Sequence, residues 1–244
     1  MIVFLGQCIE NLTEALKYTL KGNVRLKSVI SQIASIGFDS LAICMSIVFI
    51  AACVIALQVA NQFLMSGGES YIGGFLAIAL IREIAPGFAA LALAARAGTA
   101  ICATVANMQV TDQIDAMDVL KVSPFKYLFL PRVLAGCIMM PFIVILSSAV
   151  GILAGGLTAM VSAKDVTWLC YISSVWHGLY IRDINIMLFK SACFGGCISL
   201  ISSSCGYEAK GGAKGVGIAT TKAVVWSFVA IVIIDCIFAV AFYF

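Results

Sequence analysis

The chain has 244 residues, of which 62% are hydrophobic and 11% charged, and its formal net charge is +3. Its apolar residues form blocks of about twenty or more, the length that crosses a bilayer as a helix. This composition excludes a water-soluble globular domain, and the absence of a two-residue alternation excludes an outer-membrane barrel. The predicted fold class is an all-α membrane protein, with one domain over residues 1–244.

Residues 1–37 precede the first long apolar block. Leucine, valine and isoleucine recur there near helical spacing, and the charged residues occupy other faces. This pattern predicts an amphipathic helix segment that lies in the headgroup region of the membrane, with a break near Gly22 and Asn23.

The remainder, residues 38–244, predicts a bundle of five transmembrane helices. The predicted spans cover about residues 38–64, 71–105, 127–161, 184–204 and 216–244. The second is too long for one straight crossing and contains Pro86, so we expect a kink or a projecting end. Residues 162–183 are predicted to form a loop, whose tryptophans and tyrosines are typical of the membrane interface.

The distribution of basic residues predicts the orientation. Lysine and arginine are concentrated in residues 1–37, 110–132 and 205–222, whereas the opposite face carries only Lys164 and Arg182. By the positive-inside rule, the N-terminus and these three segments face the cytoplasm, and the C-terminus faces the other side.

The polar segment 110–132 interrupts the apolar blocks and is the strongest candidate for contact with a soluble partner. Thr111 is predicted to cap a short helix there, with acidic side chains in its first turn and Ile114 and Met117 on one face. An ordinary solvated loop is the alternative. The candidate contact residues are Thr111, Asp112, Gln113, Ile114, Asp115, Met117 and Asp118.

Charged residues within the apolar blocks form a second candidate site, comprising Arg82, Glu83, Lys190 and Asp235. A charge in the middle of a membrane costs about 2.5 kcal/mol or more unless it is paired or hydrated. From the helical rise, Lys190 and Asp235 are expected at similar depth and able to pair. The cluster is either a structural ion-pair network or the polar wall of a cavity for a charged headgroup.

The first span supplies apolar residues at helical spacing that suit the wall of a lipid chamber: Ile47, Ile50, Val54 and Leu57. Small residues near Arg96 and around Gly155 are expected to pack helices closely. The sequence contains no nucleotide-binding P-loop, no zinc-protease motif and only one histidine. Catalytic residues, metal ligands, cofactors and nucleic-acid partners are therefore not expected.

Four segments carry a family resemblance. They are residues 79–99 (ALIREIAPGFAALALAARAGT), 108–124 (MQVTDQIDAMDVLKVSP), 130–136 (LPRVLAG) and 205–209 (CGYEA). Together they resemble the MlaE-type permeases, the membrane subunits of bacterial ABC lipid transporters. The resemblance covers nearly all of the chain from about residue 38.

The resemblance implies an interfacial N-terminal helix, five spans and a homodimer in the bacterial inner membrane. It also implies a cytoplasmic ABC ATPase dimer that grips a coupling helix near residues 111–118, and a periplasmic ring partner of the mammalian-cell-entry (MCE) type. A small cytoplasmic accessory subunit of the STAS type is a further partner of some members. The implied cargo is glycerophospholipid, handled near Arg82, Glu83, Lys190 and Asp235, and the implied role is to maintain outer-membrane lipid asymmetry. A stand-alone secondary transporter and a membrane scaffold without transport remain the alternatives.

Overall fold

The computed structural model of the protein describes residues 26–162 and 166–243. Its long helices are α1 (Leu26–Ser66), α2 (Ile72–Val110), α4 (Phe125–Ser162), α6 (Ile181–Tyr207) and α7 (Gly212–Tyr243). Two short helices lie between them, α3 (Gln113–Val119) and α5 (Trp168–Gly178), and a single 3₁₀ turn covers Glu69–Tyr71.

Five helices in the described residues are long and apolar enough to cross a membrane, which confirms the predicted fold class. The boundary between the interfacial segment and the first span was predicted at residue 37, but α1 runs through it without a break from Leu26. Residues 1–25 lie outside the described residues, including the expected break at Gly22. The described part of the interfacial segment is therefore the beginning of α1, and not a separate helix.

The loop predicted over residues 162–183 was partly wrong, because it contains α5 and the first residues of α6. Thr167 caps α5, since its Oγ1 accepts a hydrogen bond of 3.4 Å from the backbone N–H of Cys170. Tyr171 and Val175 form the buried face of α5, which packs against the beginning of α2 and the end of α4. Lys164 lies outside the described residues.

Close backbone approach holds the bundle together between α4 and α6. A Cβ atom added to Gly136 or to Gly195 would collide with the backbone of the other glycine, so only glycine fits at this crossing. Gly155 on α4 likewise leaves room for the side chain of Leu76 on α2. The predicted role of small residues in helix packing is confirmed at Gly155, whereas the crossing of Gly136 and Gly195 was not predicted.

The helices differ in how much of their surface the single chain covers. In the most apolar window of α6, 61% of residues are buried, against 28% in α1 and 22% in α7. Helix α6 is thus the central helix, and α1 and α7 present broad apolar faces outward.

Candidate functional site

The predicted intramembrane charges converge on Lys190 of α6, whose side chain has no exposed surface. Its Nζ lies 2.8 Å from Oε2 of Glu83 and 2.5 Å from Oδ1 of Asp235, and it donates a 3.0 Å hydrogen bond to the carbonyl oxygen of Arg82. The predicted pairing of Lys190 with Asp235 is therefore confirmed. An ammonium group has three N–H donors, and three oxygens surround it here.

Arg82 joins the same cluster through Asp183, which was predicted to lie in a loop. Its Nε and Nη2 donate hydrogen bonds of 3.0 and 3.1 Å to the two carboxylate oxygens of Asp183. The Asp183 side chain lies in the first turn of α6 and is only 4% exposed. We call Arg82, Glu83, Asp183, Lys190 and Asp235 the ionic network.

A local departure from α-helical geometry places the α2 members of the network. Residues Leu80–Ile84 form a π-helical turn, with a backbone bond from Ala85 N–H to Leu80 C=O. In a regular α-helix the carbonyl of Arg82 would accept a bond from residue 86, but Pro86 has no N–H to donate. Lys190 donates to that carbonyl instead, so the buried lysine satisfies the acceptor that the proline leaves without a backbone donor.

The network has a closed centre and a more open edge. Within the single chain, the side chains of Arg82, Glu83 and Asp235 are 33%, 42% and 32% exposed, whereas Lys190 is fully covered. Two cations face three carboxylates in all. The closed centre can hold α2, α6 and α7 together, and the open edge can contact a charged group beside the bundle.

The four apolar residues predicted to line a lipid chamber lie on α1. Ile50, Val54 and Leu57 are 61%, 50% and 44% exposed, and Ile47 packs partly against the main core. The structure thus places three of them on the outward face of the chain. That they line a lipid chamber stays a prediction.

The predicted coupling segment forms α3, but its capping residue was wrongly predicted. The helix begins at Gln113, and Thr111 Oγ1 instead donates to the carbonyl of Asn107 at 2.8 Å. Asp112 and Lys121 flank α3 with φ values of 58° and 56°, in the left-handed region that non-glycine residues rarely adopt. These two turns fix the angles at which the chain enters and leaves the helix.

The outward face of α3 differs from the predicted one. Ile114 has no exposed surface and packs with Phe129 inside its own chain, so it anchors α3 to the bundle and is not free to contact a partner. Met117 is half-buried and Asp115 is exposed. The apolar residues that do face outward are Val119 and Leu120, which are 83% and 73% exposed and were not among the predicted contact residues.

Helix α5 closes the end of the bundle near Asp183. The Tyr171 hydroxyl donates a 2.9 Å hydrogen bond to the carbonyl of Ile152 on α4. Burial raises the pKa of Tyr171 above its ordinary value. The neutral phenol therefore persists across the physiological pH range and keeps donating this bond.

Five apolar helices of membrane-spanning length, three of them joined by the ionic network, define a multi-pass membrane protein. The family model described as Permease MlaE matches residues 29–241. The chain therefore belongs to the MlaE permease family, and it is a membrane permease subunit.

Named relatives agree with this assignment. A probable ABC transporter permease protein of Synechocystis sp. is 38% identical over 216 residues, covering 88% of this chain and 82% of the relative. A probable ABC transporter permease protein of Rickettsia felis is 40% identical over 208 residues, covering 85% and 80%. The chloroplastic protein TRIGALACTOSYLDIACYLGLYCEROL 1 of Arabidopsis thaliana is 34% identical over 224 residues, covering 92% of this chain and 64% of the plant protein. A permease of the ABC class implies an ATPase partner.

Proposed function

We propose that the chain is the permease subunit of an ABC transporter that moves glycerophospholipid between the bacterial inner membrane and a periplasmic MCE-type ring, and so maintains outer-membrane lipid asymmetry. The ionic network is the observation that carries the proposal. A phospholipid needs an apolar space for two acyl chains and a few polar groups for its head. The partly exposed Arg82, Glu83 and Asp235 offer such polar groups beside outward apolar faces.

Two further observations support a lipid cargo. The Arabidopsis relative carries the name of a galactosyl diacylglycerol, which is a membrane lipid. In addition, α1 and α7 are the least buried spans of the single chain, as expected of helices that face a second copy or a lipid. We propose a homodimer whose chamber is lined by α1, α2 and α7, with Ile50, Val54 and Leu57 on its wall.

The proposed orientation places α3 on the cytoplasmic side, where it contacts the ATPase dimer, and a STAS-type accessory would bind on the same side. The N-terminus is then cytoplasmic and the C-terminus periplasmic. A thiol label that cannot cross the membrane tests this, with Lys27→Cys placed in a cysteine-free background. Labelling from the periplasm would contradict the orientation, and labelling only from the cytoplasm supports it.

Lipid capture in the assembled transporter tests the cargo. The permease is purified with its ATPase from membranes fed a photoactivatable phosphatidylethanolamine, and crosslinked lipid is measured per folded permease. We expect Arg82→Gln and Glu83→Gln to lower capture severalfold, and Lys210→Met, on the exposed loop before α7, to leave it unchanged. Wild-type capture in neutral variants of Arg82, Glu83, Lys190 and Asp235 alike would remove the network from lipid handling.

A further inference from the structure

Arg132 on α4 is a buried cation that the ionic network does not use. The residue is only 6% exposed, and its Nη1 donates one hydrogen bond of 3.1 Å to the carbonyl of Leu128. A guanidinium group has five N–H donors. Within residues 26–162 and 166–243, no carboxylate lies within ion-pair distance of Arg132. A buried charge without a counter-charge is unfavourable, so this arginine requires a partner of opposite sign.

The same side chain lines a cavity of about 110 Å³ between α1, α2 and α4. Arg96 of α2 lines it too, but Arg96 already has its own acid, since its Nη2 lies 3.0 Å from Oδ2 of Asp39. Arg96 Nη1 also donates to the carbonyl of Ser35 and to Ser40 Oγ, at 3.1 and 3.0 Å. Among the described residues, Arg132 is therefore the arginine at this cavity that has no carboxylate partner.

We propose that this cavity binds a phosphate group, supplied either by the headgroup of a membrane phospholipid or by free phosphate. The planar fork of a guanidinium matches two phosphate oxygens, which makes arginine suited to this ligand. The volume is that of a few water molecules, enough for a phosphate group but not for acyl chains. The cavity also includes Thr104, which is exposed, so the remainder of a lipid can lie along the outside of α2.

This site is separate from the ionic network. Arg96 follows Arg82 by about four helical turns, which puts the two roughly 20 Å apart along α2. Arg132 lies near the beginning of α4, at the same end of the bundle as α3, whereas Asp183 lies at the opposite end. The inference stands on Arg132 and the cavity, and it does not depend on whether the network handles cargo.

A photocrosslinker at the mouth of the cavity tests the proposal. Thr104→p-benzoylphenylalanine is introduced into the permease, which is purified with its ATPase and incubated with phosphatidylglycerol, with diacylglycerol, or with inorganic phosphate as competitor. We expect crosslinking to phosphatidylglycerol but not to diacylglycerol. Arg132→Gln is expected to weaken binding about tenfold, as for the loss of one charge-assisted contact. Arg182→Gln, an exposed arginine at the other end of the bundle, is the matched control and should bind like the wild type.

Competition with inorganic phosphate identifies the source of the phosphate group. A second variant covers the case in which Arg132→Gln does not fold. If inorganic phosphate at millimolar concentration abolishes the crosslink and stabilises lipid-free protein only when Arg132 is present, free phosphate is the ligand. If it does neither, the lipid headgroup is the ligand. Should Arg132→Gln fail to fold, Arg132→Lys keeps the charge but loses the fork, and the same weakening is expected. The proposal would be overturned by equal crosslinking in the wild type, Arg132→Gln and Arg132→Lys. It would also be overturned if Thr104→p-benzoylphenylalanine crosslinked to protein instead of lipid and no phosphate bound.

Discussion

Replacing Lys190 by methionine is the most direct test of the ionic network as a structural element. The substitution keeps the volume of the side chain but removes the charge that lies between Glu83 and Asp235, 2.8 and 2.5 Å from their oxygens. Removing one partner of a buried ion pair typically costs about 3–5 kcal/mol. Because the two acids are 42% and 32% exposed in the single chain, screening reduces their repulsion, and we expect a loss near the lower limit, about 3 kcal/mol.

The arrangement also predicts an order among the single variants. Asp235→Asn leaves Lys190 with Glu83 and the carbonyl of Arg82, so we expect a smaller loss, about 1–2 kcal/mol. Glu83→Gln should behave in the same way. The double variant Lys190→Met/Asp235→Asn removes the cation and one of the two acids, and it should be less destabilised than the sum of the single variants by about 1 kcal/mol or more.

The measurement is the free energy of unfolding in mixed micelles, by titration with a denaturing detergent, with lipid capture measured on the same samples. Lys210→Met, an exposed lysine exchanged in the same way, should change the free energy by less than about 0.5 kcal/mol. Strict additivity of the Lys190 and Asp235 variants would refute the reasoning that they act as one buried pair. If stability is additive and lipid capture falls in each variant, the two side chains contact the headgroup independently.

Three other substitutions test the remaining surfaces. Asp115→Lys reverses a charge on the exposed face of α3, so it should weaken copurification of the ATPase and leave membrane insertion unchanged. Full copurification with full ATP turnover would rule out α3 as the coupling helix. Leu120→Ser should lower ATPase binding without lowering the thermal midpoint of the permease alone, because the side chain is 73% exposed; an equal loss of stability would show that it packs within the chain. Gly195→Ala places a Cβ against the backbone of Gly136 and should destabilise the fold by about 1–3 kcal/mol, as read from detergent unfolding, whereas Gly217→Ala, in open space, should not.

Distances along the helices made the network predictable in part. The helical rise alone placed Lys190 and Asp235 at one depth, and the structure brings them into contact. The helical rise could not reveal the role of Asp183. The first residues of α6 have the polar composition of a loop, so the beginning of that helix was predicted three residues too late. Nor could the helical rise reveal that Lys190 is shared with Glu83, since that depends on which way two neighbouring side chains point from α2.

The face of a short helix was harder to predict than its existence. The composition of residues 110–132 correctly indicated a helix, but seven residues make too few turns to define a buried stripe. Ile114 was therefore assigned to a partner, although it packs in its own bundle, and Leu120 was overlooked although it is exposed. Arg132 was counted only among the basic residues of segment 110–132, and the packing of α4 shows that it is buried.

The three π-helical turns in the described residues each lie at or next to an arginine of this apolar bundle. Arg82 lies in the π turn Leu80–Ile84 and Arg96 in the π turn Ala94–Gly98, while Arg132 follows the π turn Phe125–Phe129 and bonds to a carbonyl within it. A π turn inserts one residue into a helix and so rotates everything after it by about 100°. An arginine can thereby face a polar partner while the apolar residues on either side of the turn keep facing the core or the lipid. Because such turns are less stable than regular helix and are frequent at functional sites, their coincidence with the arginines favours a role for both the ionic network and the Arg132 cavity beyond holding the bundle together.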